Sequence, residues 1–194
     1  MAEKSWETLE GAVHNCKKCR LWEVRTNAVI GRGNPESDIM FIGEGPGQQE
    51  DLTGKAFVGA AGKLLDRMLE SVGLSEENVY IANIVKCRPP GNRDPLEDEK
   101  EACMNYLRYQ LGLVKPKIIV CLGRIAATSI ISPDFKITRQ RGQWIERKGY
   151  HIMATYHPSA LLRDESKKRP AWEDFKAIKA KYMELKEKGE LNER

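Results

Sequence analysis

At 194 residues the chain is long enough to bury about 70% of its unfolded surface, so one domain folding without a partner is expected. Its 32 basic and 28 acidic residues leave a formal charge of +4, too mild to imply a polyanionic partner by itself. The longest unbroken apolar run, Ile118 to Leu122, is far too short for a membrane span, and Met1-Ala-Glu-Lys-Ser-Trp6 lacks a signal-peptide profile, so a soluble chain in a reducing compartment without membrane contact is expected. A charged fraction of 31% also hints at a heat-loving source.

In chain order, a helix is expected over Trp6 to Val13, followed by Cys16-Lys-Lys-Cys19. Asp38 to Gly43 is apolar on consecutive positions, as a strand buried on both faces should be, and it runs into Gly43-Glu-Gly-Pro-Gly-Gln-Gln-Glu-Asp51. Leu64, Leu65, Met68 and Leu69 set a helical period over Gly62 to Val72, stopped near Gly73. A second strand is expected over Val79 to Val85, and a helix opened by Pro95 runs towards Leu113. Lys117 to Gly123 predicts a third strand, Ile125 to Ile131 a short helix, His151 to Tyr156 a fourth strand, and Trp172 to Lys188 a long charged helix. The expected product is an α/β fold, a three-layer α/β/α sandwich around four mostly parallel strands, one domain over 1–194 with residues 189–194 frayed.

Cys16, Cys19, Cys87 and Cys103 follow a C-x2-C, long gap, C-x15-C plan. A C-x2-C turn aims two sulfurs at one point, and two more from distant segments complete the shell that zinc or an iron-sulfur cluster requires. A redox dithiol of Cys16 and Cys19 competes with this reading, as does the absence of any common role. A disulfide framework is disfavoured by the length and the odd total of five cysteines. Cys121, inside an apolar run, reads as core, and His14 as a surface histidine.

In open parallel sheets, ligands bind beyond the carboxyl ends of the strands. Three of the four expected strand ends carry unusual residues: the glycine-rich turn after Gly43, the amide of Asn83, and Tyr156-His-Pro-Ser159. The turn has neither G-x-G-x-x-G nor Walker spacing, which disfavours a nucleotide phosphate. Each residue has an ordinary structural reading. A buried amide and a histidine at one sheet edge are nevertheless costly unless something polar pairs with them. Basic residues gather at Arg88 and Arg93, at Lys136, Arg139 and Arg141, and at Arg163, Lys167, Lys168 and Arg169. These suit either phosphate contact or ordinary solvated charge.

Together with the cysteine plan, Gly43-Glu-Gly-Pro-Gly47, Gly54-Lys-Ala-Phe-Val-Gly-Ala-Ala-Gly62, Asn83-Ile-Val-Lys-Cys-Arg-Pro-Pro90 and His157-Pro-Ser159 resemble the family 4 uracil-DNA glycosylases. The resemblance runs from Cys16 to about Leu162 in the family's order. It implies a [4Fe-4S] cluster on Cys16, Cys19, Cys87 and Cys103 and a repair enzyme with uracil-containing DNA as substrate; the protein is also expected to be monomeric, cytoplasmic and nucleoid-associated. By the same resemblance Phe57 stacks on an everted base, Asn83 reads its edge, and backbone at Glu44, Gly45 and Pro46 lines the pocket. His157 is implied to donate to uracil O2 as negative charge grows there.

Gly45 occupies the place where the best-known uracil glycosylases carry an activating aspartate. Glu50 is the expected carboxylate, either positioning water or crowding the C5 edge, with Glu44 and Asp51 as substitutes. Gln48 and Gln49 depart from the glutamates frequent in the family. Leu161 or Leu162 is expected to wedge the duplex, with Arg163 and Arg141 near phosphates, against the alternative that these leucines are core. Two further classes compete: a glycosylase that also accepts hypoxanthine, and a non-catalytic DNA-binding module that keeps the metal centre.

Overall fold

The computed structural model describes residues 5–192. Among these residues, six strands form one sheet: β1 (Arg32–Gly33), β2 (Ile39–Gly43), β3 (Val79–Asn83), β4 (Ile118–Leu122), β5 (Ile145–Arg147) and β6 (Tyr150–Thr155). They are ordered β1-β3-β2-β4-β6-β5. The four expected strands form the parallel centre, β3-β2-β4-β6, while β1 and β5 add antiparallel edges that the expected four-stranded sheet lacked. Both edges are short and polar, so no apolar run announces them. β5 turns into β6 through Lys148 and Gly149, both with positive φ, at 52° and 80°, the backbone of a tight two-residue hairpin.

Among the described residues, eight α-helices cover the sheet: α1 (Trp6–His14), α2 (Gln48–Thr53), α3 (Ala60–Ser71), α4 (Glu97–Val114), α5 (Gly123–Ile130), α6 (Ile137–Gln140), α7 (Pro158–Arg163) and α8 (Lys168–Glu187). The consecutive apolar residues of each central strand feed two cores. Met40 and Ile42 of β2 join Leu9 and Val13 of α1 and Leu107 of α4 on one face. Ile39 and Phe41 join Leu65 and Leu69 of α3 and Phe175 of α8 on the other, where the Phe41 and Phe175 rings stack at 5.7 Å. Burying both faces of a strand in this way is why its sequence does not alternate.

Element ends follow local chemistry. α4 begins two residues after Pro95, because buried Glu99 accepts the Leu96 backbone N–H at 2.8 Å and is gripped by both Arg93 nitrogens. α8 begins before Trp172, since Pro170 falls in its first turn, where a missing N–H costs nothing. The segment expected to fray is held as far as Asn192: its backbone N–H donates to Asp38 Oδ1 at 3.1 Å and its amide to the Lys115 carbonyl at 3.0 Å. Residues 193–194 lie outside the described residues. Among the described residues, no helix is long and apolar enough to cross a membrane.

The register brings the strand ends level. Gly43 pairs Asn83, and Leu122 pairs Thr155, so the turns after β2, β3, β4 and β6 open on one edge.

Candidate active site and cysteine centre

A cavity of about 520 Å³ opens at that edge, lined among others by Glu44, Gly45, Pro46, Glu50, Phe57, Tyr156, His157 and Arg163. Behind the lining residue Phe57 stands Gly43, where a Cβ would come within 2.5 Å of Phe57 Cζ and 2.6 Å of Asn83 Oδ1. Only glycine lets the ring and the amide meet over the backbone here. Asn83 is itself buried just behind the lining, and its Oδ1 has no hydrogen-bond partner among the described residues. A buried carbonyl oxygen without a donor is costly unless a ligand supplies one.

Phe57 holds φ at 53°, a left-handed conformation that a bulky residue adopts only when its surroundings impose it. Glu50 does so. Its Oε1 accepts the Val58 and Gly59 backbone N–H groups at 2.9 and 2.8 Å, and its Oε2 accepts Gly47 N–H at 3.1 Å. The carboxylate therefore ties the α2 turn to the Phe57 loop.

The His157 ring lies 5.8 Å from the Phe57 ring, centroid to centroid. His157 packs against Gly123, the first residue of α5, where φ is +86° and a Cβ would come within 2.8 Å of the His157 Cβ. His157 Nδ1 accepts the Ser159 backbone N–H at 3.1 Å and faces the Ser159 hydroxyl at 2.8 Å. That network assigns the proton of the neutral ring to Nε2. Burial, reinforced by Arg163 and opposed by Glu50, pushes the imidazole pKa down to about 4. At neutral pH the ring is thus an uncharged donor. Glu44 moves the other way: burial first, then Asp94, push its carboxyl up to about 7, against Arg124 and Arg163.

On the sheet face covered by α1 and α4, Cys16, Cys19, Cys87 and Cys103 line one small pocket with Arg25, Lys86 and Tyr106. Cys16 and Cys19 follow α1, Cys87 follows β3, and Cys103 stands in α4. Arg25 donates to Cys87 Sγ at 3.1 Å and Lys86 N–H to Cys103 Sγ at 3.4 Å. Burial pushes the Cys103 thiol up to about 11 and raises Cys19 and Cys87 as well, so a cation bound here must displace protons. Lys17 and Lys18 lie over Trp22 and Tyr106 at the rim. An all-thiol donor set with N–H groups aimed at sulfur and cations around it fits an anionic, thiolate-ligated centre. Among the described residues, no three His, Cys, Asp or Glu side chains close to the spacing of a single metal ion.

The Uracil DNA glycosylase superfamily matches residues 30–176. A type-4 uracil-DNA glycosylase from Sulfurisphaera tokodaii is 48% identical over 184 residues, 90% of this chain and 84% of that protein. The chain belongs to the type-4 uracil-DNA glycosylases. Those of Archaeoglobus fulgidus and Thermotoga maritima are 45% and 42% identical, covering 90% and 92% of this chain and 92% and 95% of theirs.

Within this type-4 framework, Phe57, Asn83 and His157 meet at one place, and Glu44, Gly45, Pro46 and Glu50 join them. Arg163 reaches the cavity with Lys167. Leu161 does not: it is buried in the core at 1% exposure, whereas Leu162 is 48% exposed. Successive helical residues point about 100° apart, so only one of the two can face the sheet. Arg141 is also drawn inward, donating to Asp174 at 2.6 Å and the Pro170 carbonyl at 3.0 Å, with its guanidinium 5.3 Å from the Tyr156 ring. It buttresses a cavity wall. Cys121 is fully buried, and His14 is exposed.

Gly123 and Arg124, which bring the start of α5 into the cavity, and Asp94, which is ion-paired to Arg124, are not among the residues expected from the sequence. A glycine directly after an apolar strand was the available signal for the first of these.

Proposed function

We propose that the protein removes uracil from DNA by hydrolysing the N-glycosidic bond, leaving an abasic site. What carries the proposal is that Phe57 meets the Asn83 Oδ1, which has no partner among the described residues, over Gly43, and stands beside the His157 ring with its Nε2–H. The uracil nucleotide leaves the stack and its base lies against the Phe57 ring. Asn83 Oδ1 accepts the uracil N3–H and the amide nitrogen donates to O4. Cytosine offers an acceptor and a donor in reversed order and leaves both unpaired.

As the bond from the sugar C1′ to uracil N1 lengthens, its electron pair goes to the base and positive charge grows on the sugar. The neutral His157 donates Nε2–H to uracil O2, where the negative charge concentrates. A water then bonds to C1′, and its proton passes to a carboxylate. Glu44 suits that role: it lines the cavity and its carboxyl sits near neutrality. Glu50, engaged by three backbone N–H groups, positions the Phe57 loop. Leu162 fills the gap left by the base, and Arg163, Lys167 and Arg124 meet phosphates.

Cys16, Cys19, Cys87 and Cys103 would hold a [4Fe-4S] cluster, as the family resemblance implies, and it would pin three segments together. The setting is intracellular and reducing, in keeping with five free cysteines.

The test is base release from single- and double-stranded oligonucleotides containing uracil, cytosine, thymine or hypoxanthine, read as strand cleavage at the abasic site after alkali treatment. Cleavage at uracil with cytosine and thymine spared is expected. An intact protein that leaves uracil in place overturns the proposal, and equal cleavage at hypoxanthine replaces it with the broader glycosylase.

A further inference from the structure

Lys86 is among the largest fully buried side chains, at 1% exposure. No carboxylate pairs with it among the described residues: Nζ donates to the Asn83 carbonyl at 2.7 Å and to Gln110 Oε1. Gln110, also fully buried, passes the chain of bonds to the Ile30 carbonyl at 2.9 Å and the Tyr80 hydroxyl at 3.1 Å. The backbone of Lys86 is pinned at both ends. Its N–H donates to Cys103 Sγ at 3.4 Å, and its carbonyl accepts Val29 N–H at 2.7 Å. The residue lines the cysteine pocket and is covalently joined to Cys87.

A buried cation without an anion is costly. Four thiolates around a cluster carry net negative charge, and Lys86 stands beside two of those sulfurs. The other end of the same side chain fixes the main chain of Asn83, whose amide reads the base. Asn83 has no side-chain hydrogen bond of its own at Oδ1, so its aim depends on its backbone. Ile84 N–H to the Gly43 carbonyl at 2.9 Å and Val85 N–H to the Glu44 carbonyl at 3.1 Å hold the flanking peptide to the β2 turn. Lys86 closes that bracket from behind.

We propose that Lys86 is a positioning residue joining the cysteine-held group to base recognition: its ammonium answers the negative charge of the thiolate centre and, through the Asn83 carbonyl, sets the angle of the uracil-reading amide. The inference rests on the uracil-excising, cluster-bearing reading above.

The experiment compares holoprotein of wild type, Lys86→Met and Gln110→Leu for the midpoint potential of the centre and for kcat and KM on a uracil oligonucleotide. Removing the cation makes the centre harder to reduce, so Lys86→Met shifts the potential to more negative values and lowers kcat/KM by about 10- to 100-fold. Gln110→Leu keeps the charge but frees one tether of Nζ. It leaves the potential in place and lowers kcat/KM by a smaller factor. A loaded Lys86→Met with wild-type potential and wild-type kcat/KM overturns the proposal. Should Lys86→Met fail to load, wild-type kcat/KM in Gln110→Leu overturns it and a reduced value supports it. Wild-type protein that is inactive on uracil, or that carries no reducible cluster, would instead sink the underlying reading.

Discussion

In the proposed mechanism Asn83 serves recognition and His157 the chemistry, and mutants should separate the two. Asn83→Ala removes two hydrogen bonds to the base edge, about 1 to 3 kcal/mol, so kcat/KM on uracil should fall by about 10- to 100-fold. His157→Ala removes a donor whose bond strengthens in the transition state, and the loss should appear in kcat, about 10²- to 10³-fold. Steady-state kinetics on one uracil oligonucleotide separate these outcomes. Acidity distinguishes His157 from Glu44. With its pKa held near 4, His157 stays neutral through the working range. The unfolded chain binds its proton first, so stability falls as pH drops from about 6.5 towards 4. Glu44 has the opposite sign: its folded pKa of about 7 lies above the ordinary carboxylate value, so its contribution is present at low pH and lost as pH rises through 7. If Glu44 accepts the water's proton, kcat/KM climbs as pH passes 7, and Glu44→Gln is slow and flat in that region. A limb near 7 that survives in Glu44→Gln would take the role from this residue.

The loop from Gly54 to Gly59 shows how an element is shaped from outside itself. Phe57 is held at positive φ because Glu50 captures the two N–H groups that follow it. In Glu50→Gln one acceptor oxygen becomes an amide nitrogen facing backbone N–H, which should cost about 1 to 3 kcal/mol of stability by urea unfolding, together with kcat/KM. Were Glu50 a water-positioning base, the same change would lower kcat and leave stability intact. This bracing was illegible in the sequence, where Glu50 reads as one carboxylate of a motif, because three of its partners are backbone groups. The central strands were legible, since residues buried on both faces carry their own signal, and so were the cysteines and the Phe57, Asn83 and His157 motifs. The edge strands were not, being two and three residues long. Nothing in the sequence singles out Lys86, whose burial depends on the carbonyl and amide around it, and the choice between Leu161 and Leu162 needed the rotation of α7.

At the scale of the molecule, the cysteine centre and the base cavity sit at opposite ends of the few residues that run from Asn83 to Cys87. The centre draws the end of α1, the exit of β3 and the body of α4 to one point. A cross-link that closes loops of this length lowers the entropy of the unfolded chain and so raises its free energy by about 4 kcal/mol. In a chain of this size that corresponds to a shift in Tm of about 10 °C. Stripping the centre with a chelator under reducing conditions, or replacing Cys103 by serine, should lower the calorimetric Tm by that order. The same treatment should bleach a broad brown absorbance at the blue end of the visible spectrum. Because burial raises the thiol pKa values, protons compete with the bound group, and loss of colour should quicken as pH falls. Scatter from unrelated destabilisation is removed by Cys121→Ser as a control, which damages the core without touching the centre: it should lower Tm and keep the colour. A colourless, zinc-loaded protein purified without air would refute the cluster, and a stripped protein that melts where the loaded one does would deny the centre its structural role.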